Sequence, residues 1–425
     1  MTTNVTLKRA ESSRLDSQSR LKTASYLTSY GVGAVASVDR FQKQSDLTTR
    51  LFGNLSYQGL AGTQGEVSLS PFALGNDRGS IGVSLRHPLM QGKGILSEKS
   101  NQILNAKSSL LIDDKSYYLS TQSTALNVID SYFKAIEARK LVTEQENAVI
   151  YMEQAAIYAR KREEAGIGRG IDVSRAEVRV AQTKDQLNLQ RATARSAMDR
   201  LMLAIGAGVG KDYNLTEPVP QSALPVPTLD EAINTAIKNR YELTIFDQQI
   251  KDQQRAVVLS EDKFRNELDA VATFNSSNPD TGILGGSTLD DGSLRVGVEL
   301  KIPLDKRIIS EDRIIAERAL DILQQQKLFR EEQINQEIRQ SYRAYESANM
   351  SLQIFTQNLS EAQNNLHIAE RMVEEGEGDN RNVLEAQNDL TRVTSSIVSA
   401  RIDLYLASVN LRYAMGEDIT KLGQI

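Results

Sequence analysis

The chain has no cysteine and no tryptophan, and only two histidines and eight prolines among its 425 residues. Without cysteine there are no disulfides, no thiolate metal sites and no thiol nucleophile. A lipid-anchored N-terminal cysteine is excluded from the chain as given. The histidines, His87 and His367, lie far apart in sequence, which argues against a histidine metal site or a histidine-based triad. Aromatic residues make up 5% of the chain, too few to fill one conventional globular core; the composition suits long helices packed through narrow seams. No uncharged run reaches the roughly 18–20 residues of a membrane-spanning helix. The longest, Thr23–Val38, contains serine, threonine, tyrosine and two glycines. The start, Met1-Thr2-Thr3-Asn4, runs into Lys8-Arg9 with no apolar segment behind it, so no signal peptide is visible. A net charge of −5 gives no sign of a nucleic-acid partner. No constellation for a metal, cofactor or nucleophile is present, so an enzyme is not expected.

What is present is an internal repeat. Residues 80–206 and 293–416 read as the same element twice: an alternating strand, a long helix, a turn and a return helix. Leu85-Arg86-His87-Pro88-Leu89 aligns with Leu300-Lys301-Ile302-Pro303-Leu304, and Leu201–Gly206 aligns with Leu411–Gly416. The division that follows is a first repeat (1–206), a linker or equatorial strap (207–240), a second repeat (241–416) and a tail (417–425).

Within this frame residues 1–22 read as a helix. Tyr30–Val38, Ile81–Leu85, Leu268–Phe274 and Leu294–Ile302 alternate apolar and small or polar residues and read as four strands. Residues 50–79, rich in glycine and serine, read as a long loop with room for a hairpin. From Gly92 to Ala165 the pattern is helical without a proline, and about 70 residues of straight helix would span on the order of 105 Å. The turn Ala165–Asp172 ends it, with Asp172 at the expected N-cap of the return helix. Thr228 and Glu231 form a capping-box pattern ahead of a short helix to Asn239. In the last helix Ala386, Leu390, Val393, Ile397, Ala400, Leu404, Ala407 and Leu411 are spaced four and three apart, a heptad seam.

The fold class expected is mainly α with a small β part: long antiparallel coiled-coil hairpins plus four strands per chain. Four strands cannot close a membrane barrel, which needs about eight or more, and an open edge is not tolerated in lipid. If they span a membrane, several chains must share one barrel, with Arg86, Arg295, Glu299 and Lys301 on its water-filled side. A soluble coiled-coil scaffold of the cytosol is the rival reading, supported by the charged helices and the invisible signal peptide.

The ordered set of segments resembles the TolC-like outer-membrane efflux protein family over nearly the whole chain. The residues that carry it are the two strand ends at Pro88 and Pro303, the turn-and-return segments Gly166–Ala176 and Gly376–Ala386, and Val383-Leu384-Glu385-Ala386-Gln387-Asn388-Asp389-Leu390. The stretch Leu229–Leu243 adds to it, with Tyr241 where proline is usual in the family. The resemblance implies a homotrimer with a twelve-stranded barrel in outer-membrane lipid and an α-helical tunnel into the periplasm of a Gram-negative bacterium. It implies docking to a periplasmic adaptor and an inner-membrane transporter, and passive export gated at the periplasmic tip, in efflux or type I secretion. On this reading the leader has been trimmed or the start placed too late.

The resemblance also implies site residues. Family acidic residues at the tunnel entrance fall on Asn382 and Glu385, so Glu385 would supply one ring of three carboxylates; the bland alternative is a solvated carboxylate. Asp172 is read as an N-cap first and a tip contact second. The turns at Gly166, Gly168 and Arg169 and at Gly376, Glu377, Gly378 and Asp379 would meet the adaptor, or are simply solvated turns. They depart from the family's usual tip sequence, so adaptor specificity does not carry over. Gly166–Gly170 lacks the preceding strand and following Lys-Ser/Thr of a phosphate loop.

Overall fold

The computed structural model describes residues 4–424, apart from 42–43, 71–72, 75–78, 167, 211–212, 214, 216–221, 279–291, 305–306 and 376–379. The elements run α1 (Val5–Ser25), β1 (Thr28–Phe41), β2 (Gln44–Gln58), β3 (Gln64–Ser70), β4 (Ala73–Leu74), β5 (Gly79–Pro88), α2 (Glu98–Glu164) and α3 (Gly170–Ile205). After these come α4 (Leu229–Asn239), α5 (Tyr241–Asp262), β6 (Glu267–Asn278), β7 (Gly292–Lys301), α6 (Arg307–Glu374) and α7 (Asn380–Ala414). They form two compact units, and each unit draws on both sequence repeats.

One unit (Ser12–Lys115 and Thr244–Leu328) holds the sheet. It is antiparallel throughout, in the order β1-β2-β3-β5-β6-β7, with the two-residue β4 beside β2. Among the described residues seven strands replace the four expected. The expected ones are β1, β5, β6 and β7; the segment read as a loop carries most of β2, all of β3 and β4. Its alternation is genuine: Leu55 and Tyr57, then Gly65, Val67 and Leu69. The positions between and beside them are Asn54, Ser56, Gln58, Gln64, Glu66 and Ser68; the serines and the asparagine also favour turns, as do Gly53 and Gly65 on the apolar face, so the composition masked the period.

Register makes the sheet two-faced. Tyr30 lies opposite Leu55, Leu55 opposite Val67, Val67 opposite Val83, Val83 opposite Phe274 and Phe274 opposite Leu294. Successive side chains alternate faces, so this row and its neighbours make one apolar face across six strands. That face is open: Tyr30 is 87% exposed, Val32 81% and Val296 73%.

The turn between β2 and β3 is tied to the start of α2. Ser97 and Ser100 hydroxyls both donate to Leu60 O at 2.7 Å, and Gly94 N donates to Ala61 O at 3.1 Å. Gly62 has φ +92°, and a Cβ there would sit 2.6 Å from Pro88 Cγ and 2.7 Å from Gly92 O. Only glycine fits both the backbone and the space.

The other unit (Met1–Glu11, Ser116–Leu243 and Phe329–Ile425) is helical. Ala232 and Ala236 of α4 pack on Ile334 and Ile338 of α6 and on Leu411 of α7. The small alanines let α4 sit close against the longer helices. The expected capping box is present, Thr228 N donating to Glu231 Oε2 at 3.1 Å. The α7 seam is buried at Ile397, Ala400, Leu404 and Leu411. Ile402 and Leu406 are buried too, off the seam, against Phe133 and Ile136 of α2.

At the α4–α5 junction Arg240 is buried. Its guanidinium pairs with the Glu337 carboxylate and, at 3.4 Å, with Glu242. Arg330 bridges the same two carboxylates at 3.0 and 3.4 Å, which closes a four-membered ring of alternating charge. After α7, Gln122 of α2 donates to Asp418 at 2.7 Å and accepts from Ile419 N at 2.9 Å.

Candidate functional site

Two regions gather the residues singled out by sequence, one in each unit. On the polar face of the sheet, Arg86 of β5 donates from Nη2 to Glu299 Oε2 at 2.6 Å and reaches Asp269 at 3.3 Å and Glu267 at 3.6 Å. Lys301 pairs with Glu267 at 3.1 Å and Glu299 at 3.6 Å. Three of the four expected polar-face residues therefore meet in one ion cluster. Arg295 shares the face but lies outside that cluster, opposite Thr273. It lines a cavity of about 500 Å³ with Glu66, Arg86 and Glu299. Glu267 and Asp269 were not foreseen. Their signal was available, since a strand with Leu268 and Ala270 on its apolar face must turn Glu267 and Asp269 the other way.

In the helical unit α2 ends in a tight turn. Gly166 has φ +75°. Its N–H donates to Glu163 O at 2.9 Å, and Gly168 N donates to Arg162 O at 2.9 Å. A Cβ on Gly168 would meet Glu163 N at 2.7 Å. Lys161 and Arg162 in the last turn suit the negative end of the helix dipole.

The expected N-cap is corrected. Arg169 occupies that position, without a side-chain cap, and Asp172 lies inside the first turn of α3. The backbone of Gly170 already adopts helical geometry, which moves the boundary back; Asp172 then favours the helix through the dipole rather than through a capping bond.

Asp172 and Arg175 of α3 and Arg381 and Leu384 of α7 line a cavity of about 280 Å³. Arg381 donates from Nε to Glu385 Oε1 at 2.8 Å, one turn along α7. Glu385 is thus not a bare carboxylate; Asn382 beside it is exposed. Gly376, Glu377, Gly378 and Asp379 lie outside the described residues. A groove of about 340 Å³ opens nearby, lined by Tyr151, Met152 and Val383 and equally by the polar Gln154, Glu370 and Gln387.

A ladder of ion pairs also went unforeseen. Glu146, Glu153 and Arg160 on α2 face Arg191, Lys184 and Glu177 on α3. Each series steps by seven residues, and that spacing was legible. The pairs are exposed and worth about 0.2–1 kcal/mol each, but together they set the register of the hairpin. Among the described residues no cluster could hold a metal ion.

The model of the outer membrane efflux protein family matches residues 232–417, from α4 through α7. The outer membrane efflux protein BepC of Brucella suis biovar 1 (strain 1330) is 24% identical over 352 residues, covering 80% of this chain and 72% of BepC. Among solved structures, the CusC channel superposes with a TM-score of 0.76 at 13% identity, covering 98% of this chain and 90% of CusC. The open MtrE outer membrane channel of Neisseria gonorrhoeae gives 0.75 at 12% identity, covering 98% and 87%.

Proposed function

We propose that the chain, which matches the outer membrane efflux protein family over residues 232–417, serves passage rather than catalysis, as the outer-membrane exit duct of a tripartite export system. The observation that carries this reading is the two-faced sheet. Its apolar face is open across six strands, with Tyr30, Val32, Leu294, Val296 and Val298 all largely exposed, and a contiguous apolar face of this kind marks a membrane or interaction surface. Among the described residues no helix is long and apolar enough to cross a membrane. The sheet is therefore the element suited to lipid. The soluble scaffold has no use for such a face.

On this reading copies associate as a trimer around a shared wall in outer-membrane lipid. The ion cluster of Arg86, Glu267, Asp269, Glu299 and Lys301, with Arg295 beside it, faces the water-filled side. The helices reach into the periplasm and meet an adaptor and an inner-membrane transporter. The α2–α3 turn at Gly166, Gly168 and Arg169 and the groove beside Tyr151 are the adaptor's contacts, together with residues Gly376, Glu377, Gly378 and Asp379. Glu385, Asn382 and Asp172 narrow the tip. Because Arg381 holds Glu385 and Asn382 is neutral, the constriction favours cations less than a bare double acidic ring would.

The test is native mass in detergent followed by planar-bilayer recording. A detergent-dependent trimer with stepwise conductance is expected. Glu385→Ala should raise conductance and weaken block by multivalent cations; unchanged single-channel behaviour would remove Glu385 from the constriction. A monomer that stays in solution without detergent would overturn the duct reading.

A further inference from the structure

We infer that each copy contributes β1, β2, β3, β5, β6 and β7 to the wall, so that three copies close eighteen strands and not twelve, with β1 of one copy pairing β7 of the next. The inference rests on the duct reading and adds the composition of its wall.

Four observations carry it. First, the apolar face runs unbroken over β1, β2 and β3 as well as β5, β6 and β7, in one register. A hairpin lying outside the wall would have no reason to keep that phase. Second, the β1–β2 pairing is built in. Phe52 lies over Gly33, where a Cβ would sit 2.3 Å from its ring, and Asn54 lies over Gly31 at 2.6 Å. An aromatic laid across a strand glycine is a device that pins register. Ser29 and Ser56 hydroxyls share a hydrogen bond of 2.6 Å across the pair. Third, the β2–β3 turn is fastened to the start of α2 through Leu60, Ala61 and Gly62. Thr63 Oγ1 also bonds His87 Nδ1 at 2.7 Å. This turn therefore sits at the same end of the sheet as the helix that follows β5.

Fourth, the free edges are β1 and β7. β1 is fourteen residues long, without proline, and carries no charge before Asp39. Soluble proteins blunt such edges with lysine, proline or bulges; this one is fit to be paired. Six alternating strands leave β1 and β7 running in opposite directions, so copies join antiparallel and the ring closes without a misfit. At about 4.8 Å between strands and a tilt of about 40°, eighteen strands give a backbone diameter of about 36 Å, against about 24 Å for twelve. Walls of 16–18 strands leave an aqueous channel.

The chain's lack of cysteine makes cross-linking clean. Double variants combine Thr28→Cys, Tyr30→Cys or Val32→Cys with Val296→Cys, Val298→Cys or Leu300→Cys, all on the apolar face. β1 and β7 of one copy lie at opposite edges, too far apart for a disulfide, so any bond is between copies. Oxidation in detergent should give a covalent trimer for at least one register. A second set places Gly65→Cys, Val67→Cys or Leu69→Cys of β3 opposite the same β7 positions and should stay uncrosslinked.

Cross-links from β3 without any from β1 would overturn the inference in favour of a four-stranded share and leave the duct intact. A covalent species of two chains at most would overturn it as well, since two copies close twelve strands. Should the cysteine variants fail to assemble, projection images of the unaltered protein in detergent still decide: a ring near 36 Å supports eighteen and one near 24 Å overturns it. A detergent-free monomer would instead defeat the duct reading itself.

Discussion

Arg240→Met tests the buried charge ring at the α4–α5 junction. Methionine keeps the length and apolar stem of the side chain but removes its charge. Two pairings are lost, to Glu337 and Glu242. Breaking a fully buried ion pair costs about 3–5 kcal/mol, because one charge is stranded away from water. An exposed pair is worth about 0.2–1 kcal/mol. This site lies between. Arg240 is 6% exposed, Glu242 22% and Glu337 42%, and Arg330 still bridges both carboxylates. The expected loss is about 2–3 kcal/mol, felt first in α4, whose Ala232 and Ala236 hold it on α6 and α7. Amide hydrogen exchange of α4 in detergent reads this as local opening. At tenfold per about 1.4 kcal/mol, exchange should accelerate roughly 30- to 140-fold. Adding Glu337→Met leaves Arg330 and Glu242 as a matched pair, so the double variant should lose less than the two single losses summed. Exchange within threefold of the unaltered chain, or strict additivity of the two changes, would refute the ring as a coupled unit.

Gly62→Ala should loosen the sheet base. The left-handed backbone costs roughly 1–2 kcal/mol for a residue with a Cβ, and the clash with Gly92 O is with backbone that cannot swing away; a fall in melting temperature with protease cleavage near residues 59–63 is expected, and unchanged melting would defeat the argument. Ile338→Ala, emptying a fully buried position among Ala236, Leu411 and Met415, should cost about 2–5 kcal/mol by denaturant unfolding, and a loss under 1 kcal/mol would mean the site collapses around the hole. Asp418 is held below the ordinary carboxylate range, chiefly by the Thr420 hydroxyl and further by Gln122 and the Thr420 N–H, against burial. Its contribution is present above the unfolded value of about 3.9 and disappears as pH falls through the lower folded value. Asp418→Asn should therefore melt lower than the unaltered chain at pH 7, with the gap closing in acid; a gap independent of pH would point to packing alone.

Much of the fold was legible because its periods are strict. The two repeats, the α7 seam and the Thr228–Glu231 box each follow from spacing, and register bears out the strands at β1, β5, β6 and β7. The failures share a cause: a pattern whose residues serve two purposes. β2 and β3 alternate, but Asn54, Ser56 and Ser68 on one face and Gly53 and Gly65 on the other are residue types that also make turns. Ile402 and Leu406 are buried because α7 is enclosed on a second side by α2, and a single seam says nothing of a second neighbour. Asp172 looked like a cap because aspartate caps helices, yet Gly170 starts the helix two residues earlier. In the candidate site, the meeting of Arg86, Glu299 and Lys301 could be anticipated from shared parity. The Arg381–Glu385 bond is legible in their spacing of four.

Leaving aside the two-residue β4, the first repeat carries four strands among the described residues, against two in the second. Two halves descended from one sequence would begin interchangeable, and the helical hairpins have kept that equivalence. The sheet has abandoned it. A chain assembled from two second repeats would carry four long strands and one from two first repeats would carry eight, so neither would reproduce the natural rim. The hairpin held by Gly62 is thus where the two halves stop being equivalent, so a substitution in the sheet of one half is no guide to its counterpart in the other.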